Sequence, residues 1–379
     1  MDMIIDQRIY FLGLGAIGKL IAHSFTDIPD APPMTLLFRD RSARDAWIAN
    51  GSTIELIRNG ISDVHPGFDA ELARGSERGN DIASPIQNLI VATKAPFLVT
   101  ALRSVKHRLR PSSTIVFLHN GMGWLEEVNE KVFPDIHSRP NYVIGIVSHA
   151  AVSRSPFSME HVAIGNIALT ALAKVPLEDD NPIKSPVTLL QPSTRYIMRT
   201  LTRTPLLGAI AMRPQELLQV QLEKLANNCV INPLTAILDC KNGELLRSGG
   251  SRLVRLLLAE ISLVIRAMPE LESIPGIENR FRPASLERNL TNLITSTAKN
   301  RSSMLQDIST GRLTEIDYLN GYIFRRGEEL GIRCMVNYTV QTILRAKSLM
   351  FRNEYEFVVP IDDNEAELGT SDDDPFGKV

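Results

Sequence analysis

The sequence predicts an α/β N-terminal domain built on a parallel, doubly wound sheet, followed by an all-α C-terminal domain. Three observations predict it. Apolar runs of strand length alternate with helical periods through the first half of the chain. A glycine-rich turn, GLGAIG, directly follows the first of those runs. From Pro214 onward the apolar spacing becomes almost wholly helical. Alternating strands and helices indicate a parallel sheet covered by helices. The expected boundaries are residues 1–212 for the first domain, 213–358 for the second, and 359–379 for a disordered tail.

The elements follow in order. RIYFLGLGAIGKLIAHSF reads as strand, turn and helix, MTLLF as a second strand, and STIELI with its neighbours as a small hairpin. IQNLIVATKA is a buried strand ending at Lys94, and FLVTALRSVKHRL is a helix. STIVFLHNGMG is a strand running into a turn, with the helix GWLEEVNEKVF behind it. YVIGIVSHAAV, HVAIGNIALTAL and LLGAIAM supply the last strands. The stretch from Lys174 to Pro205 is punctuated by proline and reads as a connection, with EDDNPIKSP a surface loop. Pro214 suits a first helical position and opens PQELLQVQLEKLANNCVINPLTAILD. GSRLVRLLLAEISLVIRAM and TEIDYLNGYIFRRGEELGI continue at a helical period, the latter stopped by Gly331. From Asp362 the tail is acidic and poor in apolar residues, a composition that cannot bury a core.

Composition narrows the function. A chain of 379 residues with 44% hydrophobic content can bury a large core, and a net charge of −2 gives no sign of a nucleic-acid partner. No apolar run approaches the ~18 residues of a membrane span. The start, MDMIIDQRIYF, lacks the features of a signal or transit peptide. The three cysteines, Cys229, Cys240 and Cys334, form neither a CxxC pattern nor a disulfide framework. A soluble cytoplasmic protein, in preference to a mitochondrial one, is expected, with no metal and as a monomer or homodimer.

In GLGAIG, Gly13 serves a tight turn, Gly15 lets the backbone approach a pyrophosphate, and Gly18 allows close helix–sheet contact. The turn Gly13, Leu14, Gly15, Ala16, Ile17 and Gly18 is therefore expected to bind a dinucleotide, with the helix N-terminus facing its phosphates. Glycine-rich turns also occur without ligands. After the second strand comes LLFRDRS. An arginine there accommodates a 2′-phosphate, and an acid bonds a free ribose hydroxyl. Arg39 stands nearest the strand end, which favours NADPH, while Asp40 leaves NADH open.

The chemistry is expected in the long helix after Pro214. Lys224, Asn228 and Asn232 recur every four residues, so they share one face with a drift of roughly 40° per step. The surrounding positions are apolar nearly all round, so the stripe faces an enclosed space. Buried amides and an ammonium are costly without partners. Either the protein satisfies them or a polar ligand does. All seven histidines lie at or before His161, so a proton donor from the helical half must be something else. Lys224 fits, because enclosure lowers an ammonium's pKa toward neutrality. A core lysine paired with a buried acid is the competing reading. Pro233 removes the amide that would bond the Cys229 carbonyl, which predicts a kink and a freed carbonyl beside the stripe.

GLGAIG, ATKA, HNGMG, KLANNCVINPLTAILDCKNGEL and SSMLQDISTGRLTEIDYLNGYI, in that order over roughly residues 8 to 345, closely resemble ketopantoate reductase (2-dehydropantoate 2-reductase). The resemblance implies a Rossmann-like α/β N-terminal domain and an all-α C-terminal domain of the 6-phosphogluconate dehydrogenase C-terminal type. It also implies NADPH-dependent reduction of ketopantoate to (R)-pantoate, on the way to pantothenate and coenzyme A. By matching position, Lys224 resembles the family's proton donor, and Asn228, Asn232 and Asn242 its substrate contacts. Asn300 and Ser303, around NRS, resemble further substrate contacts, Ser303 for the carboxylate. Glu315 resembles the acid that bonds the ribose and orders the catalytic site. Lys94, Asn120 and Ala150 resemble cofactor-facing residues, and Arg39 the 2′-phosphate arginine. Each has a plainer counterpart: Ser303 a cap, Glu315 a first-turn acid, Lys94 a solvated strand end, Asn120 a turn residue. The loop HPGFDAELARGSERGNDIAS, the 174–205 stretch and the tail exceed the family pattern. They leave open a reductase of another branched 2-oxo acid. A rival of another class is a catalytically silent NADPH-binding sensor, against which Lys224, Ser303 and Glu315 together argue, since a sensor needs no proton donor.

Overall fold

A computed structural model of the chain describes residues 6–75, 84–174 and 190–353. The acidic tail and the EDDNPIKSP loop lie outside those residues. The first half runs β1 (Ile9–Leu12), α1 (Ala16–Thr26), β2 (Met34–Phe38), α2 (Arg41–Ala49), β3 (Ile54–Arg58), β4 (Ile61–His65), β5 (Phe68–Leu72), β6 (Asn88–Val91), α3 (Leu98–Val105), β7 (Thr114–Phe117) and α4 (Trp124–Lys131). It continues through β8 (Asn141–Val147), β9 (Ala150–Ser155), β10 (Ser158–Ala163), β11 (Ile167–Ala171), α5 (Pro192–Thr202) and β12 (Ala209–Ala211). The helical half holds α6 (Pro214–Leu238), α7 (Ser248–Arg266), α8 (Ile277–Arg280), α9 (Pro283–Ser296), α10 (Ser303–Ser309), α11 (Asn320–Glu329) and α12 (Met335–Asn353).

Among the described residues the main sheet has eight strands in the order β12-β11-β8-β7-β6-β1-β2-β5. Successive side chains on a strand point to opposite faces, and here both faces are covered. Ile9, Phe11, Leu36, Ile90 and Val116 pack with Leu20, Phe25, Ile197 and Leu201 of α1 and α5. Tyr10, Leu12, Leu37, Leu89 and Phe117 pack with Leu98, Leu102 and Val128 of α3 and α4. A sheet buried on both sides needs apolar residues at every position, which is why these strands read as unbroken apolar runs.

Four expectations are corrected. The sheet is mixed, since β11 runs antiparallel to β8. YVIGIVSHAAV and HVAIGNIALTAL each hold two strands, because the chain turns a corner in both. β8 and β11 stay in the main sheet, while β9 and β10 join the expected hairpin β3–β4 in a second sheet of order β4-β3-β10-β9. The corners cross closely: the Ser148 N–H donates to the Asn166 carbonyl at 2.9 Å. A Cβ on Gly165 would lie 2.5 Å from the Ser148 carbonyl carbon, so only glycine fits there. The stretch read as a connection from Lys174 contains α5. Pro192 in its first turn starts the helix rather than breaking it. Finally, TEIDYLNGYI is not helical throughout, because α11 begins at Asn320 and leaves Glu315 on the preceding turn.

Helix α6 joins the halves: Leu217 packs under the sheet, and Leu222 through Ala236 build the core of the helical domain. That core also draws on α7, α9, α10, α11 and α12. No helix among the described residues is long and apolar enough to cross a membrane.

Candidate active site

The glycine-rich turn stands at the carboxyl end of β1, where the sheet order reverses between β1 and β6 and ligands of doubly wound folds bind. The fold itself demands two of its glycines. Gly13 has φ +102°, and a Cβ there would lie 2.6 Å from the Thr93 amide nitrogen. A Cβ on Gly18 would lie 2.1 Å from the Gly13 carbonyl oxygen. Gly15 differs. It is exposed at the N-cap of α1 with φ −66°, and a Cβ there would meet only the Ala92 carbonyl oxygen, at 3.8 Å. Nothing among the described residues requires glycine at 15. A side chain would instead fill the space over the first-turn amides of Ala16, Ile17 and Gly18, where an anion is favoured. Leu14 and Ile17 turn inward and pack on the sheet core.

At the end of β2, Arg39 is 92% exposed, with its Nε 2.9 Å from Asp40. Asp40 caps α2 by accepting the Ala43 N–H at 2.9 Å. That bond, with help from Arg39, holds its carboxyl below the usual carboxylate range. Asp40 is thus already engaged, whereas Arg39 reaches into solvent.

Further along the same sheet edge, Lys94 follows β6, Asn120 follows β7, and Val147 ends β8. The helical domain faces them with Lys224 of α6, Asp307 of α10 and Glu315. Glu315 accepts the Ala95 N–H at 3.3 Å and the Asn120 amide at 3.2 Å. Burial pushes its carboxyl upward, opposed by Lys94 and these donors. Lys94 forms an ion pair with Asp307, whose side chain is 5% exposed. Burial raises the Asp307 carboxyl too, with Lys94 and Arg312 pulling the other way. Lys224 is half-buried and donates to the Val147 carbonyl. Burial brings its pKa down to about 8, and the charge of Glu315 acts in the opposite sense. Two lysines and two acids therefore meet across the junction of the domains. The HNGMG turn locks one end of it: Gly121 has φ +75°, a Cβ there would lie 2.3 Å from the Tyr318 carbonyl oxygen, and the Met122 N–H donates to that oxygen at 2.8 Å.

Asn228 and Asn232 stand one and two turns beyond Lys224, and neither side chain bonds to another described residue. The carbonyl freed by Pro233 is not left for a ligand, because α6 continues through the proline and Asn320, fully buried, donates to the Cys229 carbonyl at 2.9 Å. Asn320→Leu would strand that carbonyl and the Asn337 amide oxygen it also serves. Loss of about 1–3 kcal/mol of stability is expected for the orphaned groups, read as a lower midpoint in denaturant unfolding.

Asn242, Asn300 and Ser303 gather at the start of α10. The Asn242 side chain donates to Thr297 at 3.0 Å, its N–H donates to the Asn300 carbonyl at 3.1 Å, and its Oδ1 is buried without a partner. Ser302, not Ser303, does the capping: it accepts the Leu305 N–H at 3.1 Å and the Thr235 hydroxyl at 2.6 Å. Ser303 is exposed beside it. Ala150 begins β9, half-buried, three residues beyond Val147. Sequence reasoning missed Asp307 and the Val147 carbonyl. Asp307 lies within SSMLQDIS, but its role depends on Lys94, which no local pattern connects to it.

Family models described as "Ketopantoate reductase PanE/ApbA" and "Ketopantoate reductase PanE/ApbA C terminal" match residues 9–174 and 216–348. The chain is 30% identical over 353 residues to a probable 2-dehydropantoate 2-reductase of Schizosaccharomyces pombe, covering 90% of this chain and 97% of the relative. It is 29% identical over 358 residues to a ketoisovalerate reductase of Gibberella fujikuroi, covering 84% and 78%. Among solved structures, a D-mandelate dehydrogenase ternary complex superposes with TM-score 0.67 at 20% identity, covering 91% of this chain and 99% of that one. A probable 2-dehydropantoate 2-reductase from Bacillus subtilis gives 0.63 at 24%, covering 90% and 99%.

Proposed function

Since the chain belongs to the ketopantoate reductase family, we propose that this oxidoreductase reduces 2-dehydropantoate to (R)-pantoate with NADPH, supplying pantothenate and coenzyme A synthesis in the cytoplasm. The observation that carries this reading is Lys224: a half-buried ammonium with its pKa near 8, beside Glu315, at the carboxyl edge of the sheet. Reduction adds a hydride to the carbonyl carbon and a proton to its oxygen. A nicotinamide dinucleotide, when bound, would supply the hydride. Lys224 supplies the proton and stabilises the charge that develops on the oxygen. Glu315 holds the ammonium protonated and fixes Asn120 and the Ala95 amide. Asn228 and Asn232, with no side-chain partners among the described residues, offer hydrogen bonds to the polar groups of a 2-oxo acid. Asn242, Asn300 and Ser303 form the complementary end for the carboxylate. The turn Gly13–Gly18 would hold the pyrophosphate, Arg39 the 2′-phosphate, and Lys94, Asn120 and Ala150 the nicotinamide half.

The likeness to a ketoisovalerate reductase favours a second reading, a same-fold reductase of another branched 2-oxo acid. Both substrates share the 2-oxo acid head, and differ in the tail. Spectrophotometric NADPH oxidation with ketopantoate, ketoisovalerate and related acids separates them by kcat/KM. No turnover with any 2-oxo acid would leave an NADPH-binding protein without chemistry. Arg39→Ala should raise the KM for NADPH about 10–100-fold, the scale of a lost charge-assisted hydrogen bond, and leave NADH nearly unchanged. Equal losses with both cofactors would remove the 2′-phosphate role.

A further inference from the structure

Away from the domain junction, the edge hairpin β3–β4 lies against α1, and two imidazoles and two carboxylates meet there. His23 and Asp27 are four residues apart at the end of α1, so they share a face. Asp63 and His65 are two residues apart on β4, so they too point the same way. His23 Nε2 is 3.7 Å from Asp63 Oδ2. His65 Nε2 is 3.1 Å from Asp63 Oδ1 and 3.7 Å from Asp27 Oδ1. The ligand atoms of His23, Asp63 and His65 all lie within 4.8 Å of one another. The two rings stand edge to face with centroids 4.5 Å apart.

We propose that His23, Asp63 and His65, with Asp27 at the fourth corner, form a zinc site that staples the β3–β4 hairpin to the helix of the dinucleotide turn. Zinc takes imidazole and carboxylate ligands at about 2.0–2.2 Å in a tetrahedron, whose edges are then about 3.3–3.5 Å. The separations of 3.1–3.7 Å run to both oxygens of Asp63 and bracket that value, and with one atom from each residue, His23, Asp63 and His65 lie within 4.8 Å of one another, so side-chain rotations bring the ligand atoms onto one zinc. A donor set of two imidazoles and two carboxylates suits zinc over magnesium or calcium, which take oxygen ligands. His23 is fully buried, and the nitrogen it turns to the cluster is Nε2, 3.2 Å from the Asp63 main-chain oxygen and 3.7 Å from Asp63 Oδ2. As a zinc ligand Nε2 would be unprotonated, and Nδ1, which has no hydrogen-bond partner among the described residues, would carry the proton. An entry path exists: a cavity of about 720 Å³ beside the hairpin is lined by Asp27 and Asp63 together with Ser24, Arg58 and Ser62. No metal is expected from the sequence, because the ligands come from two segments about 40 residues apart with no recognised spacing.

The test uses the untagged full chain, stripped with chelator and titrated with zinc against a chromophoric competitor. One equivalent should bind, raise the thermal midpoint, and be replaceable by cobalt(II) with the intense visible bands of a tetrahedral centre. His65→Ala alters a ring at the solvent edge of the cluster and should weaken zinc by at least about 10–100-fold, abolishing the thermal shift. Asp63→Asn, nearly isosteric and on an exposed side chain, should do the same if His65→Ala folds poorly. Absence of stoichiometric binding by the parent chain would overturn the proposal. So would equal zinc affinity in the folded variants, which would assign the metal to other groups such as the cysteines. Neither outcome touches the reductase reading, which does not use these residues.

Discussion

Replacing Lys224 by alanine lowers kcat by about 10²–10⁴-fold, the usual contribution of a positioned general acid, with little change in NADPH affinity measured by fluorescence titration. The expectation follows from its environment. Among the described residues Lys224 makes a single hydrogen bond, to the Val147 carbonyl, so its remaining N–H groups are available to a substrate oxygen. Its pKa of about 8 has burial as the cause, and an acid of that strength holds its proton at neutral pH yet yields it readily. The proton is bound below the pKa, so kcat/KM for reduction should be level near neutrality and fall as pH rises through about 8. Near-normal turnover in Lys224→Ala, or a profile without that basic limb, would remove Lys224 from the chemistry.

Glu315→Gln gives the second large effect. The glutamine keeps the shape and can still accept the Ala95 N–H, so folding should be preserved. What disappears is the negative charge. Turning the two charge-assisted bonds, from Asn120 and Ala95, into neutral ones costs about 1 kcal/mol each, and a fall in kcat/KM of about 10–100-fold is expected. The direction of the pH effect is fixed by electrostatics. The Glu315 charge raises the Lys224 pKa, so its removal must move the basic limb of the profile to lower pH. A limb that stays in place, or moves upward, would show that Glu315 does not support the ammonium.

These two side chains show how far the residues alone could be read. The stripe Lys224, Asn228, Asn232 needs only the helical period to be seen, and both amides are without partners among the described residues. The freed carbonyl of Cys229 was equally legible, but its acceptance of Asn320 was not, since the two lie 91 residues apart. The motif around Ser302 and Ser303 offered two adjacent hydroxyls. Only the docking of Thr235 decided that Ser302 is consumed as a cap and Ser303 is left exposed. The pairing of Lys94 with the buried Asp307 was not legible either, since the two stand on different domains far apart in the chain.

By itself the sequence determined the alternation of strands and helices in the first half, the glycine turn, the change to helical architecture at Pro214, and the face on which the polar stripe lies. These follow from periods of two and 3.6 residues and from glycine and proline stereochemistry, all of which act within a few residues. Only the tertiary structure decided that two strand runs bend into a second sheet, that β11 reverses direction, and that Pro192 opens a helix. It alone set Glu315 against Asn120 and Ala95, 195 and 220 residues away, and His23 against Asp63. Pairings at such separations depend on the packing of whole domains, which leaves no periodic trace in the chain.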